Sequence, residues 1–304
     1  RAVREPDGVF GEDGLRVLRL VRFAAELGFS PEGATFLSAK RNAAKVLDIT
    51  KERVFAELDK TFAADTAYPE LGVTDGHVRG LRLMDDIGLI DLLIPELAAL
   101  RGLEQPRKYH VYDAYRHSVE AYAAAAPSVR WAALMHDIGK KPACDRQGNM
   151  HGHDVIGAEL AFARLTALGM PLRRAERTAE LVRRHMIDLK GDMSEQKLRL
   201  FLLEHTGIAD DLIALKRADA YATRGTDPGG LRIERVWSEM RSDGTPLAVK
   251  DLPVDGRDAE EAGLHGKAIG DALSALLRES AVNPVLRDRP RALAFLKRRA
   301  EKAD

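Results

Sequence analysis

The sequence predicts an all-α fold, and three observations support this prediction. Aromatic residues make up only 6% of the chain, whereas Ala, Leu, Arg and Glu are abundant. Straight-chain residues lose little rotamer freedom in a helix, so this composition favours helix over sheet. Apolar residues also recur at helical spacing along much of the chain. With 304 residues, the chain is long enough for two or three packed subdomains.

The first predicted helix covers residues 12–28. Its apolar residues, among them Val17, Val21 and Ala24, recur at helical spacing, and Gly28 is suited to end the helix as its C-cap. Thr50 is predicted as the N-cap of a later helix. The predicted helices up to residue 101 are 12–28, 31–45, 51–62, one around 81–88 and a short one from Pro95.

A change in composition at residues 104–113 marks a predicted subdomain boundary, because Gln105-Pro106 and nearby aromatic residues interrupt an Ala/Leu background. The segment 140–153 is predicted as a long polar loop, and 223–230 as a flexible break. Helices are predicted at 114–126, 128–138, 154–168, 171–185, 194–205, 210–221 and 231–240, with a last pair from Lys267 and Pro290. The predicted domains are 1–65, 66–105, 106–225 and 226–304.

Charge and cysteine content exclude several classes of protein. The 47 basic residues balance 47 acidic ones, so any contact with nucleic acid must be local. The single Cys144 excludes an internal disulfide framework, and no apolar run approaches the roughly 20 residues that span a bilayer. A cytoplasmic protein without a membrane partner is expected. Because the first residue is Arg1 rather than Met, the sequence suggests a fragment or a processed chain.

Histidine and aspartate residues on several predicted helices form a candidate metal site. Neutral imidazole and carboxylate bind divalent metals, and packed helices bring distant residues onto one ion. Taken singly, each residue is better explained as a hydrogen-bonded core residue or a helix cap. His136 and Asp137, however, end an apolar run, where unpaired burial would cost several kcal/mol. The candidate ligands are His117, His136, Asp137, His153, His185 and Asp219.

In their order along the chain, these residues resemble the HD phosphohydrolase superfamily. The resemblance covers residues 117–221 and implies one or two divalent ions, either a transition metal such as Ni, Mn, Co or Fe, or Mg. It also implies hydrolysis of a phosphoester by activated water, with Asp137 on the metal and Lys140 near the phosphate. His151 is left out because His153 better matches the family's loop histidine, and His110 and His205 are expected to be bystanders.

A second resemblance lies in the first sixty residues. The run Phe10-Gly11-Glu12-Asp13-Gly14-Leu15-Arg16 is similar to the neck of CCA-adding tRNA nucleotidyltransferases and poly(A) polymerases. It implies that Asp13 and Arg16 recognise the base of CTP or ATP, as an acceptor and a donor fork placed three apart on one helical face. The supporting neck residues that it implies are Glu12, Arg53 and Glu57.

The tail extends this resemblance to nearly the whole chain. Residues 252–258 and 266–270 resemble the part of the family that holds tRNA, so tRNA is the expected partner. The candidate phosphate contacts are Arg19, Arg22, Arg298 and Arg299. The family's catalytic head, with its Gly-Gly turn and Asp-x-Asp pair, has no counterpart in these 304 residues. The head is therefore expected to be separate or missing, and this chain alone is not expected to add nucleotides.

The leading functional prediction is a protein of tRNA 3′-end processing with an HD phosphohydrolase site of the phosphatase or 2′,3′-cyclic phosphodiesterase type. Two alternatives stay open at this point. One is a non-catalytic RNA-binding body with a vestigial HD site. The other is a free-standing HD nucleotide phosphohydrolase, which the neck motif makes less favourable.

Overall fold

The structure, a computed structural model, describes residues 2, 4–106, 111–224 and 231–302, with only the backbone for Arg224. These residues form nineteen α-helices and five short 3₁₀ helices and contain no β-strand, which confirms the all-α prediction. The chain divides into two compact units, Arg1–Met186 with Ala214–Pro228 and Ile187–Ile213 with Gly229–Asp304. None of the described helices is both long enough and apolar enough to cross a bilayer. The four domain boundaries stay predictions.

The first unit contains thirteen complete helices among its described residues. They are α1 (Pro6–Glu12), α2 (Leu15–Leu27), α3 (Gly33–Arg41), α4 (Lys51–Phe62), α5 (Ala64–Ala67), α6 (Gly76–Ile87), α7 (Leu89–Leu93), α8 (Pro95–Ala98), α9 (Ala114–Ala124), α10 (Arg130–Met135), α11 (Lys140–Gln147), α12 (His153–Ala167) and α13 (Leu172–Arg184). Helix α15 (Ala209–Arg224) belongs to both units. The second unit contains α14 (Glu195–Glu204), α16 (Arg232–Ser242), α17 (Gly256–Glu261), α18 (Lys267–Val282) and α19 (Arg289–Ala300).

Helices with strong apolar periodicity lie where the sequence predicts them. Helix α4 has the predicted bounds, and Thr50 occupies its N-cap position. Helix α2 ends before Gly28, whose φ of 70° is left-handed and costs a glycine little because it has no Cβ. Helix α6 ends in the same way before Gly88, at φ 91°.

Two predictions are wrong in part. The segment 140–153 contains helix α11, whose Pro142 is tolerated because N–H groups of the first turn have no intrahelical partner. The predicted helix 12–28 is divided, because α1 ends at Glu12 and Asp13 adopts an extended conformation before α2 begins. Of the predicted break at 223–230, Thr223 lies within α15, whereas 225–230 fall outside the described residues.

One continuous apolar core fills the first unit. It includes Leu18 of α2, Leu58 of α4, Met84 of α6, Ile90 of α7 and Leu134 of α10, all at most 1% exposed. Helix α10 is buried along its whole length and leads directly into His136 and Asp137. Packing of the core therefore fixes where these two polar residues lie.

A buried ion pair anchors the start of α10. The guanidinium of Arg130 forms two 2.6 Å hydrogen bonds to the carboxylate of Asp65 and a third, of 2.5 Å, to the carbonyl of Phe62. Although burial opposes ionisation, the charge of Arg130 lowers the pKa of Asp65. Next to Arg130, the ring of Trp131 packs 4.4 Å from that of Phe62. The charged pair and the aromatic contact together tie α10 to α4 and α5.

The second unit has its own core and its own buried arginine. Leu276 of α18 and Leu296 of α19 are fully buried in this core. Arg199 of α14 donates to the carbonyl of Ala281 at 2.7 Å and to the carboxylate of Asp243 at 2.6 Å. A charged residue thus connects three parts of the chain that are distant in sequence.

Replacing Arg130 by Met should strongly destabilise the protein. The variant leaves the carboxylate of Asp65, which is only 13% exposed, without its bidentate partner, and breaking a buried pair costs at most about 3–5 kcal/mol. Chemical denaturation, followed by circular dichroism, measures the loss. Arg41→Met is the matched control, since its partner Asp7 is 46% exposed and should rehydrate easily. Equal losses for the two variants would contradict the anchoring role of Arg130.

Candidate metal centre

The structure brings the six histidine and aspartate residues into one buried cluster in the first unit. His117 lies in α9 and Asp219 in α15, whereas the other four lie at or directly beyond helix ends. The side chains of His117, His136, Asp137 and His185 are at most 2% exposed. The side chain of Asp219 is 19% exposed, so solvent reaches the cluster from its side.

The first group of candidate ligands is formed by His117, His136 and Asp137. The Nε2 atoms of the two histidines are 3.2 Å apart, and Oδ2 of Asp137 lies 3.2 Å from Nε2 of His136 and 3.6 Å from that of His117. Oδ1 of Asp219 lies 3.0 Å from Nε2 of His117 and 3.7 Å from that of His136. These spacings allow four donor atoms to approach one ion.

The second group is formed by Asp137, His153 and His185. The Nε2 atoms of the two histidines are 3.2 Å apart, and Oδ1 of Asp137 lies 3.4 Å from that of His153 and 3.9 Å from that of His185. Asp137 therefore faces each group with a different carboxylate oxygen. It is the one residue common to both groups.

Three of the histidines are oriented by the same kind of local hydrogen bond. Nδ1 of His136, His153 and His185 donates to the carbonyl oxygen of the residue three positions earlier, at 2.7, 2.8 and 2.6 Å. For His136 and His185, this bond satisfies a carbonyl in the last turn of a helix, which has no intrahelical partner. Because a carbonyl only accepts, Nδ1 carries a proton, and when the ring is neutral Nε2 presents its lone pair.

The electrostatics of the cluster favour ionised carboxylates and differ between its histidines. Although burial opposes it, the charge of Asp137 raises the pKa of His136. Burial and the neighbouring His136 lower the pKa of His185 to about 3. Burial alone would raise the pKa of Asp137, but the charges of His136 and Lys140 hold it well below its usual range. Burial likewise opposes the charge of Asp219, whose contact with His117 nevertheless lowers its pKa.

This donor set fits a divalent cation. Within the second group, two Nε2 lone pairs face each other at 3.2 Å, an arrangement that is repulsive unless a positive charge lies between them. The carboxylate of Asp137 adds a negative charge to the same space. Imidazole and carboxylate are ligands of zinc, manganese, iron, cobalt and nickel, so such a cation would relieve the repulsion in this group.

Lys140 contacts this cluster directly. Its ammonium group donates to Oδ2 of Asp137 and to Oε1 of Gln105, both at 2.6 Å. Gln105 is only 6% exposed. From the sequence, it is predicted only to lie in a segment between two subdomains. No motif or periodicity marks it, because its contact with Lys140 is made across 35 positions of sequence.

A close approach of two backbones holds the cluster together. A Cβ atom on Gly139 would overlap the carbonyl oxygen of His153 and lie 2.5 Å from the backbone nitrogen of Gly157. Glycine is therefore required between Asp137 and Lys140 for α12 to pack at this distance. The same contact places His153, the first residue of α12, opposite Asp137.

The predicted neck residues meet in a different pattern from the expected one. Asp13 precedes α2, so the premise that it shares a helical face with Arg16 is wrong. Its carboxylate accepts from the backbone of Leu15 at 3.0 Å and lies 3.6 Å from Arg53. Arg16 instead forms a 2.7 Å ion pair with Glu12. A role of these residues in base recognition stays a prediction.

The candidate phosphate contacts differ in their surroundings. Arg22 is 13% exposed and pairs with Glu57 at 2.7 Å and with Glu26 at 3.0 Å, so carboxylates already engage its donors. Arg19 is 48% exposed and lies 3.5 Å from Glu57. Arg298 and Arg299 lie on the exposed side of α19.

Two protein-family models match separate parts of this chain. The HD domain model matches residues 110–224, which contain the whole histidine and aspartate cluster. A model described as the probable RNA and SrmB-binding site of polymerase A matches residues 28–100. The two matched segments follow one another along the chain.

Two curated proteins are similar to this chain over most of its length. The CC-adding tRNA nucleotidyltransferase of Thermus thermophilus is 34% identical over 293 aligned residues, covering 89% of this chain and 63% of that protein. The A-adding tRNA nucleotidyltransferase of Deinococcus radiodurans is 32% identical over 311 aligned residues, covering 95% of this chain and 69% of that protein. The chain thus spans less than two thirds of the length of the first relative and slightly more than two thirds of the length of the second.

Gly139→Ala should disturb the cluster while leaving the overall helix content intact. The added methyl group forces α12 away from Asp137, and overpacking of this kind costs about 1–3 kcal/mol. Thermal unfolding and crystallographic separation of His153 from Asp137 measure the effect. Gly33→Ala is the control, because a Cβ atom there meets nothing within 4 Å. An unchanged distance between His153 and Asp137 in Gly139→Ala would overturn this expectation.

Proposed function

Because this chain belongs to the tRNA nucleotidyltransferase family, we propose that it acts at the 3′ end of tRNA and carries a divalent-metal-dependent phosphohydrolase site. The observation that carries this proposal is the pair of ligand groups that share Asp137. Six buried or half-buried donor residues converge there, and their lone pairs and negative charges favour the binding of cations.

The proposed chemistry is hydrolysis of a phosphomonoester or a 2′,3′-cyclic phosphate. A divalent ion supplies Lewis acidity, since it polarises a phosphoryl oxygen and makes water a stronger acid. The side chains of His117, His136, Asp137, His153, His185 and Asp219 would hold one or two such ions. Asp137 is common to both groups of candidate ligands. Lys140 would donate a hydrogen bond to the phosphate and offset its charge.

RNA recognition is assigned to segments outside this cluster. We infer that Asp13 and Arg16, supported by Glu12, Arg53 and Glu57, contact the base of a nucleotide such as CTP or ATP. Arg298 and Arg299 of α19 are the proposed contacts to tRNA phosphates, with Arg19 as a further candidate. Nucleotide addition would depend on a head that contributes carboxylates, which these 304 residues do not supply. A cytoplasmic location is part of the same proposal.

Metal-dependent hydrolysis should depend on His153 but not on His151. With Mn²⁺ or Co²⁺, the chain should hydrolyse a 2′,3′-cyclic nucleotide or a phosphomonoester, and a chelator should stop turnover. Asp137→Ala removes the shared ligand and should reduce turnover to background. His153→Ala should lower both bound metal and activity, whereas His151→Ala should change neither, because His151 is exposed.

Colorimetric phosphate release and elemental analysis of the purified protein measure these effects. Activity that survives both the chelator and Asp137→Ala would remove the hydrolase proposal. Bound metal without turnover on either class of phosphoester would instead favour an RNA-binding body with a vestigial site.

Binding of tRNA should weaken as salt concentration rises and should involve α19. Replacing Arg298 and Arg299 together by Ala should lower the affinity and reduce the slope of log K against log salt by about 0.7–0.9 for each phosphate that the variant no longer neutralises. Fluorescence anisotropy with labelled tRNA measures both quantities. Arg235→Ala is the control, since Arg235 already pairs with Glu239 at 2.7 Å. Equal slopes for the double variant and the unmodified chain would exclude α19 as a phosphate-binding surface.

A further inference from the structure

We propose that Gln105 is a positioning residue that fixes the ammonium group of Lys140 for contact with the substrate phosphate. This inference rests on the proposed hydrolase function and assigns a role within the same site. Gln105 lies in the segment between α8 and α9, and Lys140 is the first residue of α11. Each of the two residues is only 6% exposed.

The orientation of the Gln105 amide follows from its two partners. Its Nε2 atom faces the carbonyl oxygen of Tyr112 at 3.3 Å, and a carbonyl only accepts a hydrogen bond. Its Oε1 atom faces Nζ of Lys140 at 2.6 Å, and an ammonium group only donates. The reversed amide would oppose donor to donor and acceptor to acceptor. Both polar ends of this buried side chain therefore have defined partners.

The position of Gln105 is itself held by the start of α9. The backbone nitrogen of Ala114 donates to the carbonyl of Leu103 at 3.0 Å, and that of Gly102 donates to the carboxylate of Asp113 at 2.9 Å. With the bond from Gln105 to Tyr112, these contacts join residues 102–105 to the helix that carries His117. Gln105 consequently links Lys140 to the same framework as the first ligand group.

Two acceptors determine where the ammonium group lies. Lysine has four side-chain torsions and three N–H donors, so a single contact would leave the group free to swing. Asp137 and Gln105 hold Nζ from two sides at 2.6 Å. These two oxygens accept from two of its three donors, and in the proposed function the third donates to a phosphoryl oxygen. Without Gln105, Lys140 would keep its charge but lose its fixed direction.

A double-mutant cycle separates positioning through Lys140 from a general packing role. Gln105→Met preserves the volume of the side chain and removes its polar atoms. It should lower kcat/KM for 2′,3′-cyclic nucleotide hydrolysis with Mn²⁺ about tenfold, the effect of one hydrogen bond to a charged group. In the Lys140→Met background, the same substitution should cause no further loss, because the group that it positions is absent. Equal losses in both backgrounds would overturn the proposal.

Two further variants sharpen the comparison. Gln105→Glu keeps an acceptor for Lys140, loses the donor to Tyr112 and adds a negative charge that the ammonium group of Lys140 offsets, so kcat/KM should stay within about threefold of the unmodified chain. A tenfold loss in Gln105→Glu would count against the proposal, and this variant also serves if Gln105→Met does not fold. Gln196→Met is the matched control, since Gln196 is exposed on α14. Its kcat/KM should be unchanged.

Chemical labelling tests the contact even if no hydrolysis is found. Reductive methylation followed by mass spectrometry should modify Lys140 slowly in the unmodified chain and several times faster in Gln105→Met. Lys141 is an internal reference, because its side chain is 41% exposed and should react equally in both proteins. Faster labelling without hydrolysis would refute the hydrolase function and retain the contact. Unchanged labelling of Lys140 would refute the role of Gln105 regardless of activity.

Discussion

The buried carboxylate of Asp137 is the constraint on which the arrangement of the first unit depends. It is 1% exposed and lies within 4 Å of four imidazole nitrogens and one ammonium nitrogen. Burial of an ionised carboxylate is costly unless opposite charges and hydrogen bonds compensate it. Helices α9, α10, α11, α12 and α13 must all bring a side chain to this one group. Their packing angles and lengths have to satisfy that requirement together with the apolar core.

The core and the backbone meet this requirement by different means. Apolar burial places α10 at the centre of the unit, and the ion pair of Arg130 with Asp65 fixes its start. At its end, Gly139 allows the backbone to approach His153 and Gly157 more closely than a side chain would permit. The large buried side chain of Arg130 thus acts at the start of α10, and Gly139, which has no side chain, acts just beyond its end. Precise ligand spacing depends on both.

Sequence patterns predicted those features that depend on interactions between residues close together in the sequence. Helix α4 was predicted with correct bounds because its apolar residues repeat at helical spacing between two clear ends. Helices α1 and α11 were missed because they are short, polar or glycine-containing, and tertiary contacts stabilise them. The six cluster residues were found through their order along the chain. Gln105 was not, because a single contact across 35 positions leaves no periodic signal.

The distribution of arginines explains how a chain without net charge can belong to an RNA-processing family. Many of its guanidinium groups bind carboxylates of the protein itself, as Arg22 binds Glu57, Arg164 binds Glu96 and Arg174 binds Asp59. Such pairs stabilise contacts between helices and contribute little to the external field. On the proposed function, RNA affinity would come from exposed cations of the described residues that do not pair with a carboxylate of the protein. The position of the proposed RNA-binding surface would therefore depend on where acidic residues are scarce, since basic residues occur throughout the chain.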